Sequence, residues 1–263
     1  MGAKDLRGYV SSLVSDGEYC FTTSQAVVSI GKSLESVRAG IRYLRRDKLI
    51  ATPTRGFHVI VPLEYRITGC PPASFFIDQM MNSLGLNYYV CLLSAAERYG
   101  ASHQKPQMYQ IMVEKPRRDT VCGNQRIRYI VRKDLTGMPV NRLNTPTGTV
   151  RFATLELTLL EMFGFPVQSA GLSNAATVAL DLADQVDPEK LLKAASVCPA
   201  SWAQRLGYVL DLSTSSASAD VLNSFVQEEA ESYALLRRSA LPGSAEKSKR
   251  WKLILNTEME PEQ

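Results

Sequence analysis

The sequence of 263 residues predicts an α+β protein, in which an N-terminal winged helix-turn-helix is followed by a mixed α+β, mostly helical C-terminal domain. Three observations lead to this fold class. The first 66 residues show helix and strand patterns in winged-helix order, alternating strand patterns follow between residues 107 and 152, and helical patterns occupy residues 153–211. Because Cys70-Pro71-Pro72 is typical of a linker or boundary, we predict two domains, residues 1–68 and residues 73–263.

Three helices are predicted first. Residues 5–14 and 25–30 fit short helices, and Ser33 is a suitable N-cap for a third helix that runs to about Asp47. The apolar residues of the third helix recur at steps of three and four, which predicts one buried stripe. That stripe comprises Leu34, Val37, Ile41 and Leu44.

A hairpin is predicted next, because two short strand patterns flank a turn that contains Pro53 and Gly56. Arg55 lies at its tip, and His58 is expected to point outward from the second strand. A helix fits the major groove of duplex DNA, and an arginine at a hairpin tip suits the minor groove or the flanking backbone. We therefore predict a DNA-binding surface that comprises Lys32, Ser33, Ser36, Arg38, Arg42, Tyr43, Arg45, Arg46 and Arg55. A winged helix used only for packing or for protein contact is the alternative.

The charge distribution favours a polyanionic partner for the front of the chain. Residues 1–151 hold 21 Lys and Arg against 11 Asp and Glu, whereas residues 152–263 hold 9 against 15. The front is therefore strongly basic and the back acidic, although the net charge of the whole chain is only +4.

A second group of cations accompanies the strand patterns between residues 105 and 133. Two interpretations of this group remain open: a nucleic-acid or phosphate-binding surface, and a solvated sheet face that keeps the strands soluble. Its members are Lys115, Arg117, Arg118, Arg126, Arg128 and Arg132, together with Lys105 and Lys133.

Several function classes find no support in the sequence. The five cysteines lack CxxC spacing and are expected to be free thiols in a reducing cytoplasm. With only His58 and His103 as imidazoles we expect no metal site, and no phosphate-loop, dinucleotide-binding, zinc-protease or nucleophile-elbow motif occurs. Glu156 and Glu161 are expected to be a solvated pair of carboxylates, not an acid–base couple. We therefore expect no catalysis, no cofactor, no secretory signal and no membrane span.

The remaining elements are mostly helical. Helices are predicted at about 75–83, 87–99, 153–163, 173–184, 188–197, 199–211 and 219–238, and strands at 107–113, 126–131 and 149–152. Near the end of the chain, cations surround Trp251. They fit a nucleic-acid contact, but a strand or tail that packs back on the domain is the preferred interpretation, and the role of residues 213–263 stays open.

Three segments carry a family likeness, namely residues 53–62 (PTRGFHVIVP), 88–96 (YYVCLLSAA) and 205–210 (RLGYVL). They resemble segments of the AbiEi proteins, the antitoxin and transcriptional-regulator components of bacterial type IV toxin–antitoxin, or abortive-infection, systems. The first is similar to the strand that ends the N-terminal winged helix of that family, and the other two resemble two of its later helices. The resemblance extends over about residues 5–212.

A fourth segment, residues 153–161 (ATLELTLLE), resembles an AbiEi motif but departs from it in three places. Leu155 replaces the usual proline, Leu157 the usual basic residue and Glu161 the usual aspartate. The resemblance implies a protein that represses its own operon by binding upstream repeats and that counteracts a nucleotidyltransferase-type toxin encoded beside it. It also implies that the two proteins need not form a stable complex.

Two other functions remain open at this point. One is a winged-helix transcription factor whose C-terminal domain senses a small ligand or mediates dimerisation. The other is an enzyme that acts on nucleic acid, with the second group of cations as the floor of its site. A nucleotidyltransferase gene next to this one would favour the antitoxin over the transcription factor.

Overall fold

The computed structural model describes residues 5–101, 106–213, 216–241 and 243–259. Its elements confirm the predicted α+β class. Contacts divide the chain into two compact units, of which the first comprises Met1–Tyr89, Gln107–Leu135 and Arg142–Arg151. The second comprises Val90–Pro106, Thr136–Asn141 and Phe152–Gln263. The boundary between residues 68 and 73 remains a prediction about which segments fold independently.

The first unit begins with three helices and a small sheet, which we call the N-terminal region. Its elements are α1 (Leu6–Ser15), β1 (Cys20–Thr22), α2 (Thr23–Ile30), α3 (Leu34–Arg46), β2 (Ile50–Thr54) and β3 (Phe57–Ile60). Strand β3 is central and pairs antiparallel with β1 on one side and with β2 on the other. The three helices and the β2-β3 hairpin follow in the order expected from the sequence, whereas strand β1 between the first two helices is not predicted.

Local signals set the ends of these helices. The side chains of Asp5, Thr22 and Ser33 each accept a hydrogen bond from a backbone N–H in the first turn of the helix that follows. Gly31 ends α2 with a φ of 68°, a left-handed conformation that favours glycine. The helices and the sheet enclose a core that includes Tyr9, Phe21, Ala26, Val37, Ile41, Leu44 and Ile60.

A six-stranded sheet, most of which belongs to the first unit, follows α4 (Ile77–Ser83). Its strands are β4 (Tyr89–Val90), β5 (Tyr109–Val113), β6 (Thr120–Cys122), β7 (Gln125–Val131), β8 (Val140–Thr145) and β9 (Gly148–Ala153). They lie in the order β6-β7-β5-β4-β9-β8. Strands β5 and β7 are parallel, whereas β6 and β7 form an antiparallel hairpin.

The second unit is mostly helical. Its helices are α5 (Leu92–Ala96), α6 (Leu155–Gly164), α7 (Leu172–Asp181), α8 (Pro188–Ala195), α9 (Ala200–Leu210) and α10 (Ser216–Glu229). Every residue of α6 from Leu155 to Phe163 is buried, because α5, α7, α8 and α9 all pack against this helix. Helix α6 is therefore the centre of the unit.

The C-terminal segment, residues 230–259, packs on α9. It contains the short strands β10 (Ala234–Leu235), β11 (Lys247–Ser248) and β12 (Leu253–Ile254), in the order β10-β12-β11. The Gln204 side-chain amide of α9 donates hydrogen bonds to the carbonyls of Ser232 (3.1 Å) and Lys252 (2.6 Å). Trp251 is 1% exposed, which confirms the prediction that this tail packs back on the domain.

Two predicted helices are wrong in extent. Residues 87–99 do not form one helix: β4 precedes α5, because Tyr88, Tyr89 and Val90 are bulky, fully buried residues of a type that favours strands. Helix α10 ends at Glu229 and not at residue 238. Acidic side chains at its C-terminus oppose the helix dipole, and the chain beyond it enters β10.

Glu156 and Glu161 are buried, so the prediction of a solvated pair is wrong. They are 3% and 0% exposed. Glu156 Oε1 accepts a hydrogen bond from the Asp187 N–H (3.3 Å), and Glu161 lies near Cys91. Burial, and then the Glu161 carboxylate, raises the pKa of the Cys91 thiol. The physical reason is that α6 has no face toward solvent, which spacing along the helix cannot reveal.

Three general features complete the description. None of the five cysteines forms a disulfide bond, and all except Cys198 are buried. Within the described ranges, no helix is both long and apolar enough to cross a membrane. In the same part of the chain, no three His, Cys, Asp or Glu side chains lie close enough together to hold a metal ion. His103 and Lys105 lie outside the described residues.

Candidate nucleic-acid interface

The predicted DNA-binding surface lies on α3 and on the β2-β3 hairpin. Ser33 caps α3, because its hydroxyl accepts a hydrogen bond from the Ser36 N–H (3.3 Å). Val37, Ile41 and Leu44 face the core and are 2%, 7% and 2% exposed. These three side chains fix the rotation of the helix about its axis, so the polar and cationic residues between them point to solvent.

All nine side chains predicted for the surface are exposed. They are Lys32, Ser33, Ser36, Arg38, Arg42, Tyr43, Arg45, Arg46 and Arg55. Leu34 is also exposed, at 42%, so its assignment to the buried stripe is wrong. It is the first residue of α3, where the helix extends past the core, and it lines the cleft between α3 and the hairpin.

This cleft, with a volume of about 780 Å³, is lined by four arginines. Arg38, Arg42 and Arg45 are spaced four and three residues apart, which places them on one face of α3. Arg55 reaches the cleft from the tip of the hairpin. In the part of the chain that the structure describes, none of the four guanidinium groups has an ion-pair partner or a hydrogen-bond acceptor. The cleft therefore holds four uncompensated positive charges.

The other predicted residues are arranged differently. Arg46 pairs with Asp47, with 3.4 Å between Nε and Oδ1, and its guanidinium lies 4.7 Å from the ring centroid of Tyr43. Lys32, Ser33 and Ser36 lie at the start of α3. The structure thus brings four of the nine residues together in the cleft and places Tyr43 and Arg46 on the neighbouring face of the helix.

His58 lines the cleft as a buried residue, so the expectation that it points outward is wrong. It is 3% exposed, and its Nε2 and Nδ1 atoms each lie 2.9 Å from a hydroxyl, that of Thr23 and that of Thr52 respectively. The central strand β3 is covered on both faces, and the His58 ring lies 5.1 Å from that of Phe21. Burial, and then the charge of Arg45, lowers the pKa of His58 to about 4. The neutral ring therefore ties the start of α2 to β2.

Lowering the pH is expected to destabilise the protein through His58. Its pKa is about 4 in the folded protein and about 6.5 in an unfolded chain, so the unfolded state binds more protons between these pH values. The free energy of unfolding should fall by roughly 2 kcal/mol from this group between pH 8 and pH 5. Urea denaturation at the two pH values measures the change.

The variant His58→Gln is the control for this prediction, because glutamine offers hydrogen-bonding groups and does not titrate. Its free energy of unfolding should depend less steeply on pH than that of the unaltered protein. His103 and the carboxylates are present in both proteins, so the difference between the two isolates His58. An equal fall in both would contradict the assigned pKa.

The second group of cations is divided by the sheet. Arg126 and Arg128 occupy alternate positions of β7 and share one face, where Arg128 Nε lies 3.2 Å from the Asp119 carboxylate. Tyr129 points to the opposite face, and Arg117 lies over its ring at 5.5 Å. Lys115 and Arg118 are exposed in the connection before β6, and Arg132 follows β7. The six side chains therefore do not form a single floor, and a binding role for them remains a prediction.

A comparison with known families shows which family the C-terminal part of the chain resembles. Residues 88–212 match the family model of the AbiEi antitoxin C-terminal domain. The C-terminal part of the chain is therefore AbiEi-like over 125 of its 263 residues. The match confirms the resemblance seen in the sequence, since three of the four AbiEi-like segments lie within it. We call residues 88–212 the AbiEi domain, and its family is one of antitoxins, not of enzymes.

A solved structure is similar to this chain over most of its length. It is the crystal structure of the RV2827C protein from Mycobacterium tuberculosis, with a TM-score of 0.64 and 17% sequence identity. The similarity covers 94% of this chain and 89% of that chain. At this identity the likeness shows the fold alone. No curated protein matches the sequence.

Sequence reasoning missed the inner lining of the cleft, which includes Thr23, Thr52 and His58. An alternating pattern assigns every second residue to solvent, and this assignment holds only where one face of a strand is uncovered. The signal that points to the buried His58 is the continuous apolar run around it, from Phe57 to Ile60. Such a run is typical of a strand that is buried on both faces.

Proposed function

We propose that the protein is a DNA-binding antitoxin of the cytoplasm. It represses its own operon through a winged helix-turn-helix in the N-terminal region, and it counteracts a nucleotidyltransferase-type toxin through its C-terminal domain. The observation that carries the DNA-binding part is the cleft with four arginines for which the described residues supply no ion-pair partner. The match to the AbiEi domain supports the antitoxin part. Neither part involves a cofactor or a catalytic step.

The shape and chemistry of the cleft suit duplex DNA. Helix α3 has 13 residues, a length of about 20 Å, and a helix of this size fits the major groove. The guanidinium groups of Arg38, Arg42 and Arg45 offer paired donors, which match phosphate oxygens and the major-groove edge of guanine. Arg55 is placed to contact the flanking backbone or the minor groove. Four uncompensated charges favour such a polyanion over a neutral protein surface.

Replacing Arg42 or Arg46 by alanine is expected to weaken operator binding. Each lost phosphate contact should lower the slope of log affinity against log salt by about 1. We expect the larger loss for Arg42→Ala, since Arg46 already pairs with Asp47. Fluorescence anisotropy with the full chain and a duplex from upstream of its own gene, at salt concentrations from about 50 to 200 mM, measures both slopes.

Arg66→Ala is the matched control, because Arg66 is an exposed arginine that does not line the cleft. It should keep both the affinity and the slope of the unaltered protein. A duplex of shuffled sequence separates operator binding from non-specific binding. If Arg42→Ala is folded by circular dichroism and keeps its affinity and slope, α3 is not part of the interface.

The antitoxin activity is tested in cells by co-expression with the nucleotidyltransferase-type toxin that the proposal places beside the gene. The full chain should restore growth that the toxin arrests. We propose that residues 1–68 bind DNA and that residues 73–263 neutralise the toxin. The double variant Arg42→Ala/Arg45→Ala should therefore restore growth as well as the unaltered chain does, although it no longer represses the operon. If growth stays arrested although the double variant is soluble and folded, neutralisation needs the DNA-binding surface, and the proposed division of roles is wrong.

A specific observation also favours a second function, that of a transcription factor whose C-terminal domain senses a ligand. The second unit contains a pocket lined by arginines, of a size that suits a small molecule. The two functions are distinguished by the co-expression assay: a ligand-sensing regulator leaves the toxin active.

A further inference from the structure

A pocket of about 410 Å³ opens in the second unit, and the residues that line it come from four places in the chain. They belong to the end of α6 and the loop after it, the start of α7, helix α9 and the C-terminal segment. Its apolar lining comprises Phe163, Phe165, Pro166, Val167, Leu172 and Leu236. Three arginines complete it: Arg205, Arg237 and Arg238. The volume lies within the usual range of small-molecule sites.

Arg205 is the buried cation of this pocket, with 3% exposure. Its Nε donates hydrogen bonds to the carbonyls of Leu235 (3.0 Å) and Leu236 (3.2 Å), and Nη1 donates to the Ser201 carbonyl (2.9 Å). These bonds fix the plane of the guanidinium group. In the described ranges, Nη2 has no acceptor and no carboxylate lies within ion-pair distance of Arg205. Carbonyl dipoles alone therefore balance this buried charge.

Two further cations, Arg237 and Arg238, lie at the exposed edge of the pocket. The Asn256 side chain holds the Arg237 backbone, with Oδ1 accepting from its N–H (3.0 Å) and Nδ2 donating to its carbonyl (2.9 Å). Arg238 Nη2 lies 3.5 Å from the Ser201 hydroxyl. As far as the described residues go, no carboxylate pairs with either arginine.

The charges of Arg205 and Arg238 repel each other. Burial, and then the charge of Arg238, lowers the pKa of Arg205 to about 10, so it remains protonated at neutral pH. Like charges around a partly apolar pocket are unfavourable unless an anion enters it. The arrangement therefore favours an anionic ligand.

We propose that this pocket binds a phosphate monoester of mononucleotide size, with the phosphate on the three arginines and the apolar or aromatic body against Phe165 and Leu172. A phosphate dianion compensates more of the three charges than a carboxylate does, and the planar guanidinium fork matches its oxygens. Phe165 is held by Trp202 in an edge-to-face contact with 5.5 Å between ring centroids, so its ring offers a fixed surface to the body. The inference goes beyond the proposed function and does not depend on it.

Isothermal titration calorimetry of the full chain tests the proposal with AMP, GMP, CMP and UMP, each used separately. At least one should bind. Its nucleoside without phosphate and inorganic phosphate alone should each bind at least tenfold more weakly. Arg237→Ala/Arg238→Ala should weaken the binding of that nucleotide at least tenfold, because both side chains are exposed and their removal leaves the core intact. Lys193→Ala/Lys249→Ala is the matched control, since it removes two exposed charges of the same unit away from the pocket, and it should bind as the unaltered protein does.

Three outcomes would overturn the proposal. The first is that none of the four nucleotides binds at millimolar concentration. The second is that inorganic phosphate binds as tightly as the nucleotide, which would leave no role for the apolar lining. The third is that the arginine double variant, folded by circular dichroism, binds the nucleotide unchanged. Operator binding measured on the same samples reports separately on the DNA-binding proposal.

Discussion

Ile41→Asp is expected to unfold the N-terminal region. Ile41 is 7% exposed and lies in the core with Val37 and Leu44, so the new carboxylate would be buried among apolar side chains. A charge in such a place has no partner and costs roughly 3 kcal/mol or more, a large part of the 5–15 kcal/mol that stabilises a typical domain. Operator binding should be lost with the fold.

Thermal denaturation followed by circular dichroism, together with hydrogen exchange of the α3 amides, measures this effect in the full chain. Ala39→Asp is the matched control, because Ala39 is exposed on the same helix. It introduces the same charge two residues away and should change the melting temperature little. An Ile41→Asp protein that melts at the temperature of the unaltered chain would show that the helix register is wrong.

The sequence predicts the N-terminal region well because its signals are local. Ser33 is an N-cap oxygen immediately before a stripe with helical spacing, and the chain needs no distant contact to place α3 there. Gly56, with a φ of 82°, lies in the turn of the hairpin, where a positive φ suits glycine. Such features depend on a few neighbouring residues and are therefore readable in one sequence.

Errors occur where distant segments decide the environment. The sequence pattern places Glu156 and Glu161 in solvent, but they are buried because four other helices surround α6. It also places His58 in solvent, but this residue is buried because β1 and β2 flank its strand and the Phe21 ring packs on it. Burial of this kind depends on the tertiary arrangement, which hydrophobic periodicity along a single element does not contain.

The candidate interface also has one feature that the sequence predicts and one that it does not. Six of the nine predicted residues lie within α3, and their exposure follows from the rotation of the helix, which the apolar stripe predicts. The sequence does not predict which arginines share the cleft, because this depends on how the hairpin lies against the helix. The four in the cleft are Arg38, Arg42, Arg45 and Arg55, whereas Arg46 pairs with Asp47. Composition gives the number of cations, and only the fold tells which of them lack a partner.

The C-terminal segment lies beyond the matched AbiEi residues, yet α9 of the AbiEi domain contacts it through three neighbouring residues. Gln204 and Arg205 donate hydrogen bonds to its backbone carbonyls. Gly207 lies against the Trp251 ring, whose Nε1 donates to the Asp211 carboxylate (2.6 Å). The AbiEi-like sequence RLG at residues 205–207 therefore contacts the C-terminal segment and holds it against α9.

Gly207→Ala and Trp251→Ala are each expected to destabilise the second unit strongly. A Cβ atom at position 207 would collide with the six-membered ring of Trp251, and forced overpacking of this kind costs about 1–3 kcal/mol. Trp251 is 1% exposed, so its removal leaves a cavity and should cost about 3–5 kcal/mol. Urea denaturation of the full chain gives both free energies of unfolding.

The double variant Gly207→Ala/Trp251→Ala separates this contact from a general weakness of α9. With the indole gone, the methyl group introduced at position 207 no longer collides and occupies part of the cavity, and alanine is also the better helix former. The double variant should therefore be clearly more stable than the sum of the two single effects predicts, by about 1 kcal/mol or more. Strictly additive losses would mean that position 207 and Trp251 act independently. In that case the RLG sequence would not serve to hold the C-terminal segment, and the reason for its glycine would lie elsewhere in α9.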